Sequence, residues 1–465
     1  MQEAERPAAA LGHLLELARL PGEARFTGAD PVLPTRYRLG TAGAAALAAT
    51  GIAADALWSL RHKPQQVSVD LTEAVASLRG FQYLRLNGAR PGAAHDPLSG
   101  FHPTGDGRHI YLHCNFPHLR DRNLAVLGAE PDPDSIRAAA RHWQGEALET
   151  AIHESGGCAS FVRTPEEWEA HPHNAAVASL PVLEIERIGD APAEPLPAGD
   201  RPLAGVRALD LTRVIAGPIA CRTLAEHGAD VLKISRQDLP GAGTLDIDTG
   251  IGKRSAWLDL REPANSERLR ELARSGDVFV QSYRPGTLAA RGFGPEALAA
   301  LRPGVVVATL SAWGHAGPWA MRRGYDTIVQ SATGIAYFSG KPGAPALLPV
   351  AAIDYISGNL LAFGAMVALH RRATIGGSWL VRVSLAGVGH WMRGLGLVEG
   401  ELAARASPTA PDLAAEAMAV ELPGPMGVVR FPRSPLRLSA TPPRLDLPPV
   451  PLGTHAPEWL PAVGR

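Results

Sequence analysis

Five short apolar runs alternate with polar or helix-forming segments between residues 206 and 313, and this alternation limits the folds open to the chain. The runs cover residues 206–212, 230–235, 254–260, 277–283 and 304–313. Residues 265–276, NSERLRELARSG, have the apolar spacing of an amphipathic helix. Buried strands that alternate with helices predict a parallel sheet with crossover helices. We therefore expect an α/β fold, with a Rossmann-like parallel sheet domain and a smaller α+β domain.

The turns after these strands are the expected ligand-binding region. In an open parallel sheet, ligands bind beyond the carboxyl ends of the strands. The turns after residues 212, 235, 283 and 313 should therefore surround one crevice.

Segments rich in proline and glycine suggest where the chain divides. Residues 191–205, APAEPLPAGDRPLAG, offer no apolar face for burial and indicate a linker. The chain after residue 395 is dense in proline and can form only short edge strands. These features predict an N-terminal part (1–190), a linker (191–202), a sheet domain (203–395) and a C-terminal segment that packs on the sheet domain (396–465).

Composition excludes several functional classes. The formal net charge of the 465 residues is −1, which offers no general basic field for nucleic acid or an anionic membrane. The three cysteines are widely spaced and show no metal-ligand pattern, which favours a reducing compartment. No uninterrupted apolar run approaches the ~20 residues of a membrane-spanning helix. We expect a cytoplasmic protein that binds no metal, nucleic acid or membrane.

Two distant segments share one plan. Residues 43–70 and 356–384 each contain a helix rich in small residues, a polar turn and a Val-x-Val strand. Chance can produce this similarity, but material downstream of residue 70 supports an internal repeat, as described below.

Six motifs, in the same order, resemble the family III CoA-transferases, the group of formyl-CoA transferase, carnitine CoA-transferase and alpha-methylacyl-CoA racemase. The motifs are PLAGVRALDLTRVIAGPIACRTLAEHGADVLKIS from residue 202, GKRSAWLDL (252–260), DVFVQSYRPGTLAARGFG (277–294), SAWGHAGPWAMRRGYDTIVQSATG (311–334), AAIDYISGNLLAFGAMVALHRR (351–372) and PLRLSATPPR (435–444). The resemblance implies transfer of CoA from an acyl-CoA to a carboxylic acid.

The resemblance implies that Asp354 is the catalytic nucleophile, which forms an aspartyl anhydride and then an aspartyl thioester. By spacing alone, Asp354 is more simply interpreted as a helix N-cap. Asp326 matches a second acidic position and is implied to shift the pKa of Asp354 or to orient the substrate. The alternative for Asp326 is turn formation after Gly324.

The resemblance also implies a set of coenzyme A contacts. They are Arg213, Ile215, Ala216, Lys253, Arg254, Ser282, Tyr283, Arg284 and Arg291. Arginine suits phosphate because its planar guanidinium group bonds two oxygens at once. Each of the cations could instead be an ordinary surface charge.

Three positions depart from the family pattern. Ser282 replaces the usual Asn, and Ser235 replaces an acidic residue, so both put coenzyme A contacts in doubt. Tyr325 stands where the racemase branch has a histidine base, which favours transfer over racemisation. A racemase, a carnitine-dehydratase-like enzyme and a non-catalytic CoA-binding subunit remain alternatives.

The family's small domain is missing from its usual place, because residues 385–425 are too few to form it. Segments at 83–88, 100–116, 120–132 and 163–172 resemble that domain, including a Gly-Asp-Gly hairpin signal at residue 105. We therefore interpret residues 1–190 as a partial, rearranged CoA-transferase-like unit that supplies the small domain. In this unit the position equivalent to Asp354 is expected at Ala44 or Ala45. His113, Trp143 and Trp168 are candidates for the acyl pocket, although each is more often a core residue, and the resemblance implies a homodimer.

Overall fold

The computed structural model describes residues 2–93 and 95–461. Its strands are β1 (Arg25–Thr27), β2 (Val67–Asp70), β3 (Arg85–Leu86), β4 (Gly100–Pro103), β5 (His109–Leu112), β6 (Ala159–Phe161), β7 (Glu184–Gly189), β8 (Arg207–Leu211), β9 (Asp230–Ser235), β10 (Arg254–Trp257), β11 (Val278–Gln281), β12 (Val306–Ser311), β13 (Ser378–Ser384), β14 (Ala419–Gly424), β15 (Gly427–Pro432) and β16 (Arg437–Leu438).

The helices within the same ranges are α1 (Arg6–Ala18), α2 (Leu39–Ser59), α3 (Leu71–Ser77), α4 (Gly80–Tyr83), α5 (Pro117–Leu127), α6 (Pro133–Ala140), α7 (Gly145–Glu154), α8 (Pro165–Ala170), α9 (Pro172–Ala178), α10 (Ala216–Glu226), α11 (Thr244–Gly250), α12 (Pro263–Arg274), α13 (Pro295–Leu301), α14 (Asp326–Ala332), α15 (Ile335–Ser339), α16 (Ala352–Ile375), α17 (Leu385–Gly394), α18 (Gly400–Ala404) and α19 (Ala410–Ala417). Two short 3-10 helices cover Glu3–Glu5 and Ala289–Arg291.

The main sheet has seven strands in the order β10-β9-β8-β11-β12-β13-β7. The six strands from β8 to β13 run parallel. Val280 and Ala308 face one side of this sheet and pack in the core with α10 and α16, while Phe279 and Val307 face α12 and α13 on the other side. Because both faces are covered, the strands are apolar along most of their length. The predicted α/β class with a Rossmann-like parallel sheet is confirmed.

The seventh strand comes from before the predicted linker. Strand β7 pairs antiparallel with β13 at the edge of the sheet. It carries three charged residues, Glu184, Glu186 and Arg187, and charge is common on edge strands. The chain between β7 and β8 then has no helix or strand, in agreement with the expected linker. The division at residues 190 and 203 stays a prediction, since the first part of the chain contributes a strand to the second part's sheet.

Two long apolar helices form the centre of the molecule. Helices α2 and α16 are long and apolar enough to cross a membrane, but 89% and 100% of their most apolar windows are buried inside the protein. They pack against each other, and α10 packs against α16. The approach of α10 is close at Gly358, where an added Cβ would lie 2.5 Å from the carbonyl oxygen of Ala216. A glycine at this position therefore lets the start of α10 lie next to the first turns of α16.

The N-terminal part forms a small antiparallel sheet, β4-β5-β6, and the predicted Gly-Asp-Gly hairpin connects β4 to β5. Strands β5 and β6 pack on α14. The main-chain N–H of Arg163 donates to the carbonyl oxygen of Ser331 over 3.1 Å, which joins the two parts directly. This packing places the N-terminal sheet over the helix that begins at Asp326.

The C-terminal segment contacts both parts of the chain. Strands β14 and β15 form a sheet with β3, and β16 pairs with β2. Farther along, the indole N–H of Trp459 donates to the carbonyl oxygen of Leu272 on α12 over 3.0 Å. The segment described to residue 461 thus packs on the sheet domain and also on the N-terminal part. The last predicted residues, 462–465, lie outside the described residues.

Candidate functional site

Asp354 is the third residue of α16 and lies inside the helix rather than before it. The N-cap position is held by Ala351, so the interpretation of Asp354 as an N-cap is wrong. The side chain is buried, with 7% of the residue exposed. Burial and repulsion from the carboxylate of Asp326 raise the pKa of Asp354 well above its usual value.

Asp326 is the acidic partner that Asp354 meets across the helix start. Its Oδ2 accepts a hydrogen bond from the main-chain N–H of Asp354 over 3.1 Å, and its Oδ1 accepts from the side-chain amide of Gln330. Asp326 is itself the first residue of α14, so its turn-forming role after Gly324 is secondary to this contact. Burial raises the pKa of Asp326 to about 6. The two helix starts therefore hold two buried carboxyl groups near each other in an environment that disfavours their ionisation.

These carboxyls line a cavity of about 280 Å³ between the two parts of the chain, here called the carboxyl cavity. Its C-terminal wall contains Val214, Ile215, Tyr325, Asp326, Gln330, Leu348, Val350 and Asp354. Its N-terminal wall contains Phe81, Gln82, His95, His113 and Asn115. The cavity thus combines a largely apolar interior with the acidic pair on one side and neutral polar groups on the other.

The strand-to-helix turn after β8 brings backbone into this cavity. Val214 has a φ of 72°, a conformation that is rare for a β-branched residue and costs about 1–3 kcal/mol. The turn is held from both sides: the N–H of Arg213 donates to Oγ of Ser282 over 3.3 Å, and Nζ of Lys233 donates to the carbonyl oxygen of Thr212 over 2.9 Å. Ile215 and Ala216 then begin α10 next to Asp354, as predicted for the first contact turn.

Two smaller cavities follow the carboxyl ends of the strands. One of about 120 Å³ is lined by Ser235, Arg236, Tyr283 and Arg291. A narrower one next to it shares Ser235, Arg236 and Tyr283 and adds Arg213. The structure therefore gathers Arg213, Tyr283 and Arg291 along one path, with Ser282 at its edge.

Arg284 lies apart from this path. It is exposed and lines a third cavity of about 180 Å³, beyond the ends of β11, β12 and β13. Tyr283 lines that cavity and also the two smaller cavities at the strand ends, so it lies between the two regions. Arg236 lines both of the smaller cavities at the strand ends, although no motif in the sequence singles it out.

Lys253 and Arg254 are both buried in ion pairs, and their role as phosphate ligands stays a prediction. Nζ of Lys253 lies 2.7 Å from Oδ2 of Asp210 and donates to the carbonyl oxygen of Pro218 over 2.7 Å. Burial opposes charge on Asp210, but the ammonium groups of Lys253 and Lys233 keep its pKa below the usual value. Arg254 begins β10, at the end of the sheet away from the crevice, and pairs with Asp230 over 3.0 Å. Spacing could not reveal that acidic partners occupy both cations.

The sequence predicts only part of the N-terminal wall of the carboxyl cavity. His113 lines the carboxyl cavity, but Trp168 is 1% exposed in an aromatic cluster with His171 and Trp319, and Trp143 packs in a separate core. His95 and Asn115 carried no signal in the sequence. They come into place because β5 and the loop before β4 lie over α14.

Helix α2 begins in a way that resembles the start of α16. Thr41 is the third residue of α2, as Asp354 is the third residue of α16, and Ala44 and Ala45 lie about one turn farther along. The N–H groups of Gly40 and Thr41 donate to the buried carboxylate of Asp30, over 2.9 and 2.8 Å. Asp30 therefore holds the start of α2 much as Asp326 holds the start of α16. Thr41 provides no carboxylate, so the expectation that this copy lacks the nucleophile is unaffected.

A group of cations lies near the turn after β8. Guanidinium groups of Arg122 and Arg323 both donate to the carbonyl oxygen of Gly156, over 3.0 and 2.6 Å. Arg284 lies close enough to lower the pKa of Arg323, after the larger effect of burial. Arg213 stacks over the ring of Phe116, with 5.4 Å to the centroid. Arg122 comes from the N-terminal part, so both parts contribute positive charge here. Within the described ranges, no group of three or more His, Cys, Asp or Glu side chains is arranged to hold a metal ion.

Comparison with known proteins agrees with these features. Residues 203–409 match the model of the family described as CoA-transferase family III. An acyl-CoA transferase of Gibberella moniliformis is 32% identical over 288 aligned residues, covering 56% of this chain and 51% of that protein. The human succinyl-CoA:glutarate CoA-transferase is 33% identical over 183 residues, covering 36% of this chain and 41% of that protein.

Among solved structures, a CAIB/BAIF family protein from Brucella suis is 28% identical with a TM-score of 0.39, over 42% of this chain and 55% of that chain. The chain spans about half or less of the length of the two curated relatives.

Proposed function

We propose that the protein is a member of CoA-transferase family III, whose model matches residues 203–409, and that it transfers CoA from an acyl-CoA to a carboxylic acid with Asp354 as the nucleophile. One observation carries the proposal. Within the matched segment, the main-chain N–H of buried Asp354 donates to the buried carboxylate of Asp326, and both residues line a cavity large enough for a short acyl group. Carboxyl pairs with raised pKa values are concentrated at functional sites.

The proposed reaction has four balanced steps. A carboxylate oxygen of Asp354 attacks the thioester carbonyl and expels the CoA thiolate, which gives a mixed anhydride. The thiolate attacks the aspartyl carbonyl, and the donor acid leaves as its carboxylate. The acceptor carboxylate then attacks the aspartyl thioester and expels the thiolate again. A final attack of the thiolate on the acceptor's carbonyl releases acyl-CoA and restores the Asp354 carboxylate. This covalent route conserves the energy of the thioester.

The groups around Asp354 support this role. Free N–H groups at the start of α10 and the strained turn at Val214 suit an oxygen that gains charge during attack. Asp326 is a positioning residue, because it binds the main chain of Asp354 and shifts the pKa of its carboxyl. The path along Arg213, Tyr283 and Arg291 supports binding of the CoA nucleotide. CoA enters as a substrate, and we propose no metal.

Racemisation at the α-carbon is a second candidate, favoured by one observation. His113 stacks on Tyr325 with ring centroids 3.9 Å apart, so an imidazole lies in the cavity although residue 325 is not histidine. Burial, followed by repulsion from His95, lowers the pKa of His113 to about 3. An imidazole with that pKa is a weak base near neutral pH, and this supports transfer over proton abstraction. A carnitine-dehydratase-like reaction and a non-catalytic CoA-binding role remain alternatives.

Hydroxylamine trapping tests the proposal. The protein is incubated with an acyl-CoA and hydroxylamine, and the peptide that contains Asp354 is examined by mass spectrometry. We expect a hydroxamate at Asp354 in the native chain and in Asp190→Asn, whose side chain is 99% exposed, and no adduct in Asp354→Asn. Absence of any adduct or CoA exchange would contradict covalent transfer. Deuterium incorporation at the α-carbon without acyl exchange would indicate a racemase.

Location and assembly are also proposals. The three cysteines are buried free thiols, which supports a reducing, cytoplasmic setting. The family resemblance supports a homodimer, and a molecular mass measured in solution by light scattering tests it.

A further inference from the structure

His113 is a buried polar side chain without a partner at the wall of the carboxyl cavity. Only 4% of the residue is exposed, and among the described residues neither ring nitrogen has a hydrogen-bond partner. A buried polar group without a hydrogen bond costs free energy, so such groups in native proteins require an explanation. His113 lines the same cavity as Asp326 and Asp354, so a ligand bound in that cavity is the candidate for the missing partner.

The imidazole cannot easily turn to find a partner elsewhere. It stacks on Tyr325 with an interplanar angle of 8°. Its main-chain N–H donates to Cys158 over 3.0 Å, and its carbonyl oxygen accepts from the amide of Asn123 over 3.2 Å. Asn123 is fully buried and also bonds Cys158, so the backbone under His113 is fixed.

His95 adds a second donor on the same wall. Oδ1 of Asn115 accepts from the N–H of Asp96 over 2.9 Å and from the hydroxyl of Ser99 over 2.7 Å. The amide nitrogen of Asn115 must therefore donate to Nδ1 of His95, 3.2 Å away. Since Nδ1 accepts, the proton of a neutral His95 is on Nε2. Burial lowers the pKa of His95, which favours this neutral form.

The wall and the acidic pair together select the kind of ligand group. A neutral imidazole has one donor and one acceptor, and a hydroxyl group can bond with either. A second carboxylate would satisfy only the N–H, and it would lie in a cavity where burial already disfavours the charge of two carboxyls. A neutral hydroxyl is therefore the better match.

We propose that His113 and His95 determine substrate specificity by binding a hydroxyl group on the acyl chain, so that the substrate is a short hydroxy acid. This inference rests on the proposed CoA transfer and names the substrate class for that site. The cavity of about 280 Å³ has room for a short acyl chain of a few carbons.

Exchange of isotopic label between an acid and its own CoA thioester tests the inference. Three four-carbon acids are compared: 3-hydroxybutyrate, butyrate and succinate. We expect the native protein to favour 3-hydroxybutyrate over butyrate by about 10-fold or more in kcat/KM. His113→Phe keeps the stacked ring and removes both nitrogens, so it should lower kcat/KM for 3-hydroxybutyrate by about 10- to 100-fold and change that for butyrate by less than about 3-fold.

Two further variants separate recognition from folding. Among the described residues, His227 is also buried with both nitrogens unpartnered, but it lies outside the cavity wall, so His227→Phe should leave the preference unchanged. His113→Gln restores a donor and an acceptor and should recover part of the preference for the hydroxy acid.

The outcomes are distinct. Equal loss for all three acids in His113→Phe, or a native preference for succinate or butyrate, overturns the inference while CoA transfer stands. If none of the three thioesters gives exchange or a hydroxamate at Asp354, the proposed function fails and the inference fails with it.

Discussion

The main-chain N–H of Asp354 donates to Oδ2 of Asp326 over 3.1 Å, and this contact joins the first turns of two helices through their acidic residues. Burial raises the pKa of both carboxyls, and repulsion from Asp326 raises that of Asp354 further. A nucleophilic carboxylate must be ionised, so the rate of CoA exchange should rise with pH as the pair loses its proton. Because the two carboxyls interact, the acidic limb of the pH–rate profile reports the pKa values of the pair rather than of either residue alone.

Asp326→Asn should shift that acidic limb to lower pH. The substitution removes the negative charge that helps to raise the pKa of Asp354, while the amide oxygen can still accept the N–H bond. The measurement is kcat/KM against pH between about 4 and 8. A limb that stays in place would show that the charge of Asp326 does not act on Asp354. Gln330→Leu, which removes the other bond to Asp326, should change the limb less.

Asp354→Asn should abolish CoA exchange and stabilise the fold at alkaline pH. Loss of the nucleophile should lower kcat by at least about 1,000-fold. In the folded chain the buried pair keeps its protons to a higher pH than in the unfolded chain, so the folded state binds more protons above the ordinary pKa of 3.8. Stability therefore falls as pH rises through the raised pKa values, and Asn removes part of this loss. We expect Tm to increase by about 2–4 °C at pH 8 and by less at pH 4. An equal increase at both pH values would contradict this origin.

Lys253→Met should destabilise the fold rather than weaken CoA binding selectively. It leaves the buried carboxylate of Asp210 without its partner at 2.7 Å, which should cost about 3–5 kcal/mol in urea denaturation. Arg291→Ala is the matched comparison, because Arg291 is exposed and lines a strand-end cavity. It should change stability by less than about 0.5 kcal/mol and raise KM for acyl-CoA by about 10-fold. A stable Lys253→Met protein with a raised KM would support Lys253 as a ligand.

The cations shared by the two parts of the chain should assist CoA binding. Arg122→Ala and Arg323→Ala each remove a charge near Arg213, and each should raise KM for acyl-CoA several-fold with little change in kcat. Because these charges are partly exposed, the effect should shrink as salt is increased from 50 to about 500 mM. Arg137→Ala, which removes an exposed cation from α6, serves as the control. Unchanged KM in both variants at low salt would place the CoA phosphates elsewhere.

The two ends of the site differ in how far they could be predicted. The resemblance of ordered motifs singles out Asp354, Asp326, Ile215 and Tyr283. The topology of a parallel sheet then places the turns that carry Ile215 and Tyr283 at one edge of the sheet. Lys253 and Arg254 lie in an equally recognisable motif. However, Lys253 forms an ion pair with Asp210, 43 residues away in the chain, and Arg254 forms one with Asp230, 24 residues away. Only the packing of β8, β9 and β10 reveals these pairs.

The α/β class and the parallel sheet follow from the amino-acid sequence, because apolar periodicity encodes strands, helices and the turns between them. The acidic pair follows from the resemblance of the motifs to a known family. The tertiary structure alone decided the far wall of the cavity, the addition of β7 to the sheet, and the isolation of Lys253 from the crevice. These features depend on contacts between residues far apart in the chain. The surface that β5 presents to α14 follows from how two whole units pack, and no local pattern around His113 or His95 specifies that packing.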